Sequence, residues 1–457
     1  VTVFRLVLSD LRSNAGIWIG ALVVSAATAA AAAIAAGMLE TGLELVTSGT
    51  RSDLLRAGGL ATLASLVLVL TVVAVTAVLG NITRLTIDLQ RRGYALWQLV
   101  GVPSATVTVI VRLQLAVVAL VGSALGCLVA GPFVPAFLHF GLSESDGLRA
   151  LDERFGAVSG AAVVVGVTAV VVLSSLRPSR RAGRVRPVEV LREPEAVEGR
   201  TGWTRWTGAA VALLLASLMT LALAGAGVRA GSQVLLIGPL VTGAVIAVGP
   251  SVFPALLRAW TAVVPAHASA SWFLARNAAA AAVSRSSATV SALVITIALP
   301  ASITSGFATL GDAVRRTTGS EISGLAPQSF LLMLGGPLLV SLSGAAATVL
   351  MAGRTREQEG ALVEAAGGSR GVVLARAAWE SVILVGTAVL VSSAVLVVTS
   401  CAQAVALGVT SPGTLPHLGL QAAAPAALVS LVLMVVAGTL PLVVGGRRSV
   451  PLVLAAD

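Results

Sequence analysis

RRGYALWQLVGVPS, Arg91 to Ser104, and REQEGALVEAAGGSR, Arg356 to Arg370, are two versions of one segment. Setting Ala95-Leu96 over Ala361-Leu362 also sets Gly101 over Gly367, a spacing of 266 residues. Each copy follows one long apolar run and precedes another. A repeat of that length in an apolar chain predicts two copies of one multi-helix unit. The segment itself is polar enough to lie outside a bilayer, so it also marks equivalent points where a partner can grip both copies.

Composition decides what the apolar runs are. The chain of 457 residues is 56% hydrophobic and 11% charged, with a mean hydropathy of +0.96. A soluble domain carries about 25% charged residues, and single domains do not build a core able to hide this much apolar surface. Ten runs are each long enough for a helix to cross a hydrocarbon layer of about 30 Å. They are Ile17–Leu39, Gly58–Asn81, Ala105–Ala130, Gly156–Leu176, Thr207–Val228, Val234–Leu257, Ser287–Leu310, Phe330–Met351, Gly371–Ser400 and Gln421–Val444. None alternates polar and apolar residues as a membrane barrel strand does. The first run is too long for a signal peptide and recurs in the second half, so it reads as a retained helix.

All 30 basic residues are Arg, which together with the abundance of Ala, Gly, Val and Leu suggests a GC-rich bacterial genome. With both termini cytoplasmic, the inner segments hold the arginines before the first span, those around the two repeated segments and the cluster from Arg177 to Arg205. The outer loops hold Arg51, Arg56, Arg149, Arg154, Arg229, Arg315 and Arg316, a bias of about three to one that fits the positive-inside rule. The net charge of +10 therefore reads as topology plus attraction to anionic lipid. A nucleic-acid partner is not expected, because the arginines share no soluble face and no aromatic residues are interleaved with them.

The repeat extends beyond the paired segment. Leu11-Arg12-Ser13-Asn14 resembles Leu274-Ala275-Arg276-Asn277, and PSRRAGRVRPVEVL from Pro178 resembles GGRRSVPLVL from Gly445. Each unit then reads as basic lead-in, two spans, cytoplasmic helix, two spans, basic tail. Residues 1–206 form the first four-span unit, 207–257 a central two-span hairpin and 258–457 the second four-span unit. Four spans plus two is even, so the repeats are parallel. Trp203 and Trp206 are placed for a membrane-interface belt at the start of the fifth span. The outer loops are about 20 residues or fewer, too short for a large extracellular domain.

This order resembles the FtsX-like permease family, the membrane subunits of MacB-type (type VII) ABC systems. Its cytoplasmic stretch has the form Arg-Arg-x-Glu-x-Ala-Leu-x-x-x-x-Gly. Arg356, Glu359, Ala361, Leu362 and Gly367 match it in the second unit; Ala95, Leu96 and Gly101 match in the first, with Arg91-Arg92 one place late. The family's basic tail is matched by Arg177, Pro178, Arg180, Ala182, Pro187, Leu191 and Arg192. The ten-span layout is similar to the peptide-resistance permeases of Bce type. Two departures stand out: Gly93 and Tyr94 sit where the family has Glu, and the large extracellular domain of MacB and Bce relatives is missing. The resemblance implies an all-helical bacterial plasma-membrane protein, driven by a separate cytoplasmic ABC ATPase in two copies that binds ATP and Mg. Without the outer domain, the implied cargo is a hydrophobic or amphipathic molecule, such as a lipid, lipopeptide or antimicrobial. A regulator that passes a signal to a cell-wall hydrolase, an extracytoplasmic protein or a sensor kinase, and an exporter driven by an ion gradient, are the alternatives.

The residues agree with a borrowed motor. A P-loop needs a Lys at the nucleotide phosphates, and the sequence has none. The expected ATPase-docking residues are Arg91, Arg92, Tyr94, Leu96, Trp97, Val100 and Gly101 in the first copy and Arg356, Glu359, Leu362 and Gly367 in the second; aromatic and Arg anchors dominate interfaces. The other reading of these helices is that they lie on lipid. Arg112, Gln114, Arg376 and Glu380 fall inside apolar runs, where an ionisable group costs about 2.5–3.5 kcal/mol at a helix centre. Arg376 and Glu380 are spaced i, i+4 and can pair on one helix face; these residues read as a polar cluster coupling the two units or as side chains that snorkel to the headgroups. Gly16-xxx-Gly20 and Gly122-xxx-Gly126 have the spacing for close helix approach, but among 47 glycines such spacings arise by chance. Cys127 and Cys401 read as small packing residues. His139, His267 and His417 lack metal-ligand spacing, and no resident cofactor, metal or catalytic set is expected.

Overall fold

The computed structural model describes residues 9, 11, 15–48, 51–143, 155–183, 203–224, 231–265, 269–319, 326–351, 353–408 and 413–445. Of these, 92% are helical and none is in a strand. The helices are α1 (Ala15–Ser48), α2 (Arg51–Leu89), α3 (Arg91–Leu99), α4 (Ser104–Ala130), α5 (Val134–Leu142), α6 (Ala157–Gly183), α7 (Trp203–Ala224) and α8 (Gly231–Val234). They continue as α9 (Ile237–Thr261), α10 (Ala270–Ala281), α11 (Val283–Thr318), α12 (Pro327–Met351), α13 (Gly353–Ala365), α14 (Arg370–Gly408) and α15 (Leu420–Gly445). Ten helical stretches are long and apolar enough to cross a membrane, and they coincide with the ten expected runs. Several overshoot those runs. α2 and α14 each have 39 residues, about 58 Å of helix, so their ends stand well clear of the hydrocarbon. The lead-in before the first span and the basic tails after 183 and 445 fall largely outside the described residues.

The chain divides into two compact units: Val1–Val197 with Ala326–Ala347, and Glu198–Leu325 with Thr348–Asp457. In the first, α1, α4 and α6 pack mutually and α2 packs on α1 and α6. The approach of α4 to α1 depends on glycine. A Cβ on Gly122 would stand 2.7 Å from the Leu22 carbonyl oxygen, and one on Gly126 would lie 2.8 Å from the Ala26 Cα. This GxxxG pair is thus a real contact rather than a chance spacing, whereas a Cβ on Gly16 would meet open space. The eighth span, α12, packs for most of its length in this unit, with Gly336 against Ala31.

In the second unit α11 is the interior helix, with 89% of its most apolar stretch buried. It packs with α9, α14 and α15, and α14 also packs on α15, α10 and α7. The trio α11, α14 and α15 therefore makes the same set of pairwise contacts as α1, α4 and α6. Many hydroxyls on α11 and α14 are buried. Most are satisfied within their own helix by bonding a carbonyl three or four residues back, as Thr296, Ser302 and Thr387 do.

Candidate functional site

The two repeated segments fold alike. α3 ends at Leu99 and the chain reverses through Gly101, whose φ of +97° is in the left-handed region. The Gly101 N–H donates to the Gln98 carbonyl and the Val102 N–H to the Trp97 carbonyl. α13 ends through Gly367 at φ +90°, with Gly367 donating to Glu364 and Gly368 to Val363. These are two Schellman caps in one register. The register continues into the next span, where Val107 donates to Pro103 and Val373 to Ser369. From 94 to 108 and from 360 to 374, the order of buried, half-buried and exposed positions is the same. Each short helix packs on the third and fourth spans of its own unit: α3 on α4 and α6, α13 on α14 and α15.

Each helix exposes a leucine in the same register. Leu96 is 52% exposed and Leu362 59%, with Leu99 and Val100 continuing the patch on α3. Two expected docking residues turn inward. Tyr94, the only tyrosine of the chain, is 1% exposed. Its hydroxyl donates to the Gln90 side chain and its ring packs edge-on against the half-buried Trp97, with centroids 5.6 Å apart. Burial of so large a ring removes Tyr94 from the surface. Glu359 likewise directs its carboxylate to Arg376 on α14. The side chains of Arg91, Arg92 and Arg356 lie outside the described residues.

The ionisable residues within the spans find partners on other helices. Arg376 pairs with Glu359 of α13, and Glu380, which is buried, pairs with Arg285 of α11 at 3.4 Å. The i, i+4 spacing pointed to a pair along α14; the contacts found instead run from α13 to α14 and from α14 to α11. A buried carboxylate needs a full cationic partner, and a neighbouring helix supplies it for Glu380. Val373, Ala377 and Leu442 close a small cleft around Glu359, Arg376 and Glu380. In the first unit Arg112 donates from Nε to Ser179 Oγ at 2.9 Å and from its terminal nitrogen to the Leu176 carbonyl at 3.4 Å. It thus joins α4 to the last turns of α6. Gln114, in the register of Glu380, is fully buried on α4.

Three arrangements escaped sequence reasoning. Glu40 of α1 accepts from the Gly156 N–H at 2.9 Å, capping α6 from another helix. An acid just past an apolar run was the available signal. At the far end of α11, Ser305 bonds Ser400, Gln403 and the His417 carbonyl, and Gln403 donates to the Ser302 carbonyl. Only the fold brings those together. Trp272 sits edge-on between Trp260 and Trp379, at 6.4 and 5.3 Å. Cys127 and Cys401 are free thiols, and no metal-competent cluster exists among the described residues.

No curated protein and no solved structure matches the chain. One family model does, and it covers the first of the two short helices together with the spans on either side of it. Residues 65–187, from within α2 to just past α6 and about a quarter of the chain, match the FtsX-like permease C-terminal model, so this stretch is similar to the FtsX-like permeases.

Proposed function

We propose that the chain is the permease subunit of a MacB/Bce-type (type VII) ABC transporter, built from two parallel four-span units and a central hairpin. Both termini lie in the cytoplasm. α3 follows two spans and α13 follows eight, so both short helices face the cytoplasm, where the arginine bias places them. Each presents an exposed leucine, Leu96 or Leu362, to one copy of a separate ABC ATPase. Closure of the ATPases on ATP moves both helices and, through the spans they pack on, shifts the bundle as rigid elements. The cargo is hydrophobic or amphipathic and is moved or extracted at the membrane.

The observation that carries this reading is the doubled Schellman-capped helix. The same hydrogen bonds, the same φ and the same exposure recur in one register of 266 residues, and one copy lies within the permease-like match. A surface helix that only rested on lipid has no need to repeat its cap, its buried anchor position and its exposed leucine. The test is reconstitution in lipid with an ABC ATPase of this class from the same genome. ATP hydrolysis is expected to rise when the chain is present; an ATPase that neither binds the chain nor changes its rate removes the assignment.

A further inference from the structure

We propose that the second short helix is latched to the spans by charge, with Arg376 and Glu380 as positioning residues for α13. Two ion pairs run in sequence, Glu359 to Arg376 and Glu380 to Arg285, joining α13 to α14 and α14 to the interior helix α11. Three of the four side chains are well covered, Arg376 and Arg285 at 12% exposed each and Glu380 at 4%, while Glu359 is 35% exposed. The inner pair is therefore screened far less than on a surface, and removing one of its partners strands the other, while the outer pair is partly screened. Val373, Ala377 and Leu442 border the same cleft.

The register shows that the first unit does not repeat these three charged residues. Gly93, Ile110 and Gln114 occupy the positions of Glu359, Arg376 and Glu380. There the buried Tyr94 ring stands at the position where α13 has Gly360. α13 depends on a charge chain reaching the interior helix of its unit. The structural part of this proposal stands by itself; its consequence for ATP coupling rests on the docking assignment.

The test separates the two. On a background with Cys127→Ala and Cys401→Ala, spin labels at the exposed positions Leu362 and Leu390 report the α13-to-α14 distance in the permease alone, in lipid. A single narrow distribution is expected. Glu359→Gln or Arg376→Gln should broaden it and raise the detached population roughly tenfold, with the double variant no worse than either single. Arg376→Lys, which keeps the charge, should stay narrow. Unchanged distributions in both neutral variants would overturn the latch, whatever the ATPase does. With the ATPase present, Arg376→Gln should retain binding while losing most of the stimulated hydrolysis, and Arg376→Lys should recover it. Full stimulation in Arg376→Gln would overturn the coupling role. Failure of the unmodified chain to bind the ATPase would instead count against the docking assignment and leave the spin-label result to judge the latch.

Discussion

Single glycines and single charges set the local geometry, and they differ in how visible they are in the sequence. A Cβ on Gly101 or on Gly367 meets nothing within 4 Å, so the only objection to a side chain there is the positive φ. Gly101→Ala and Gly367→Ala should therefore each cost about 1 kcal/mol, by the left-handed backbone penalty. Thermal unfolding of the purified chain should give equal losses at both positions; a large inequality would contradict the shared cap. Gly126 is the opposite case, since it is closed off by the backbone of α1. Gly126→Leu should cost at least about 3 kcal/mol through overpacking, and Gly16→Leu close to nothing, measured in the same unfolding assay. Sequence could align Gly101 with Gly367, because the surrounding residues repeat. It could not tell Gly126 from Gly16, because the spacing reports only that a helix has a smooth face, not that another helix lies on it. The partners of Arg376 and Glu380 were hidden for the same reason: i, i+4 spacing sees one helix, and both partners are on others.

At the scale of elements, the bilayer did most of the specifying. Apolar runs of membrane-spanning length show all ten spans without knowledge of their packing, and their positions hold in the structure. What was not legible is which side of a short helix faces the spans. α3 has nine residues, barely more than two turns, so aromatic Tyr94 and aliphatic Leu96 are equally plausible anchors until the fold buries one and exposes the other. The account makes Leu96 and Leu362 the contact residues. Leu96→Asp or Leu362→Asp should leave insertion and unfolding unchanged, because both side chains are exposed. Each should weaken ATPase binding by about 2 kcal/mol, roughly thirtyfold, as loss of an interface anchor does. Affinity measured by surface-immobilised permease checks this, with wild-type affinity in both variants as the contrary result.

At the scale of the whole molecule, the central claim is two matched levers in one chain, each gripping its own motor. Repeated contacts among α1, α4 and α6 and among α11, α14 and α15 support two equivalent supports for those levers. The order of segments in the sequence suggests such a duplication, while the placement of most of α12 with the first unit could come only from packing. Native mass spectrometry of the purified complex tests the claim most directly. The account predicts one permease chain with two ATPase copies, one copy after Leu362→Asp, and none when Leu96→Asp is added. A complex that keeps both ATPases in the double variant, or a functional chain that carries none and is indifferent to ATP, would contradict it.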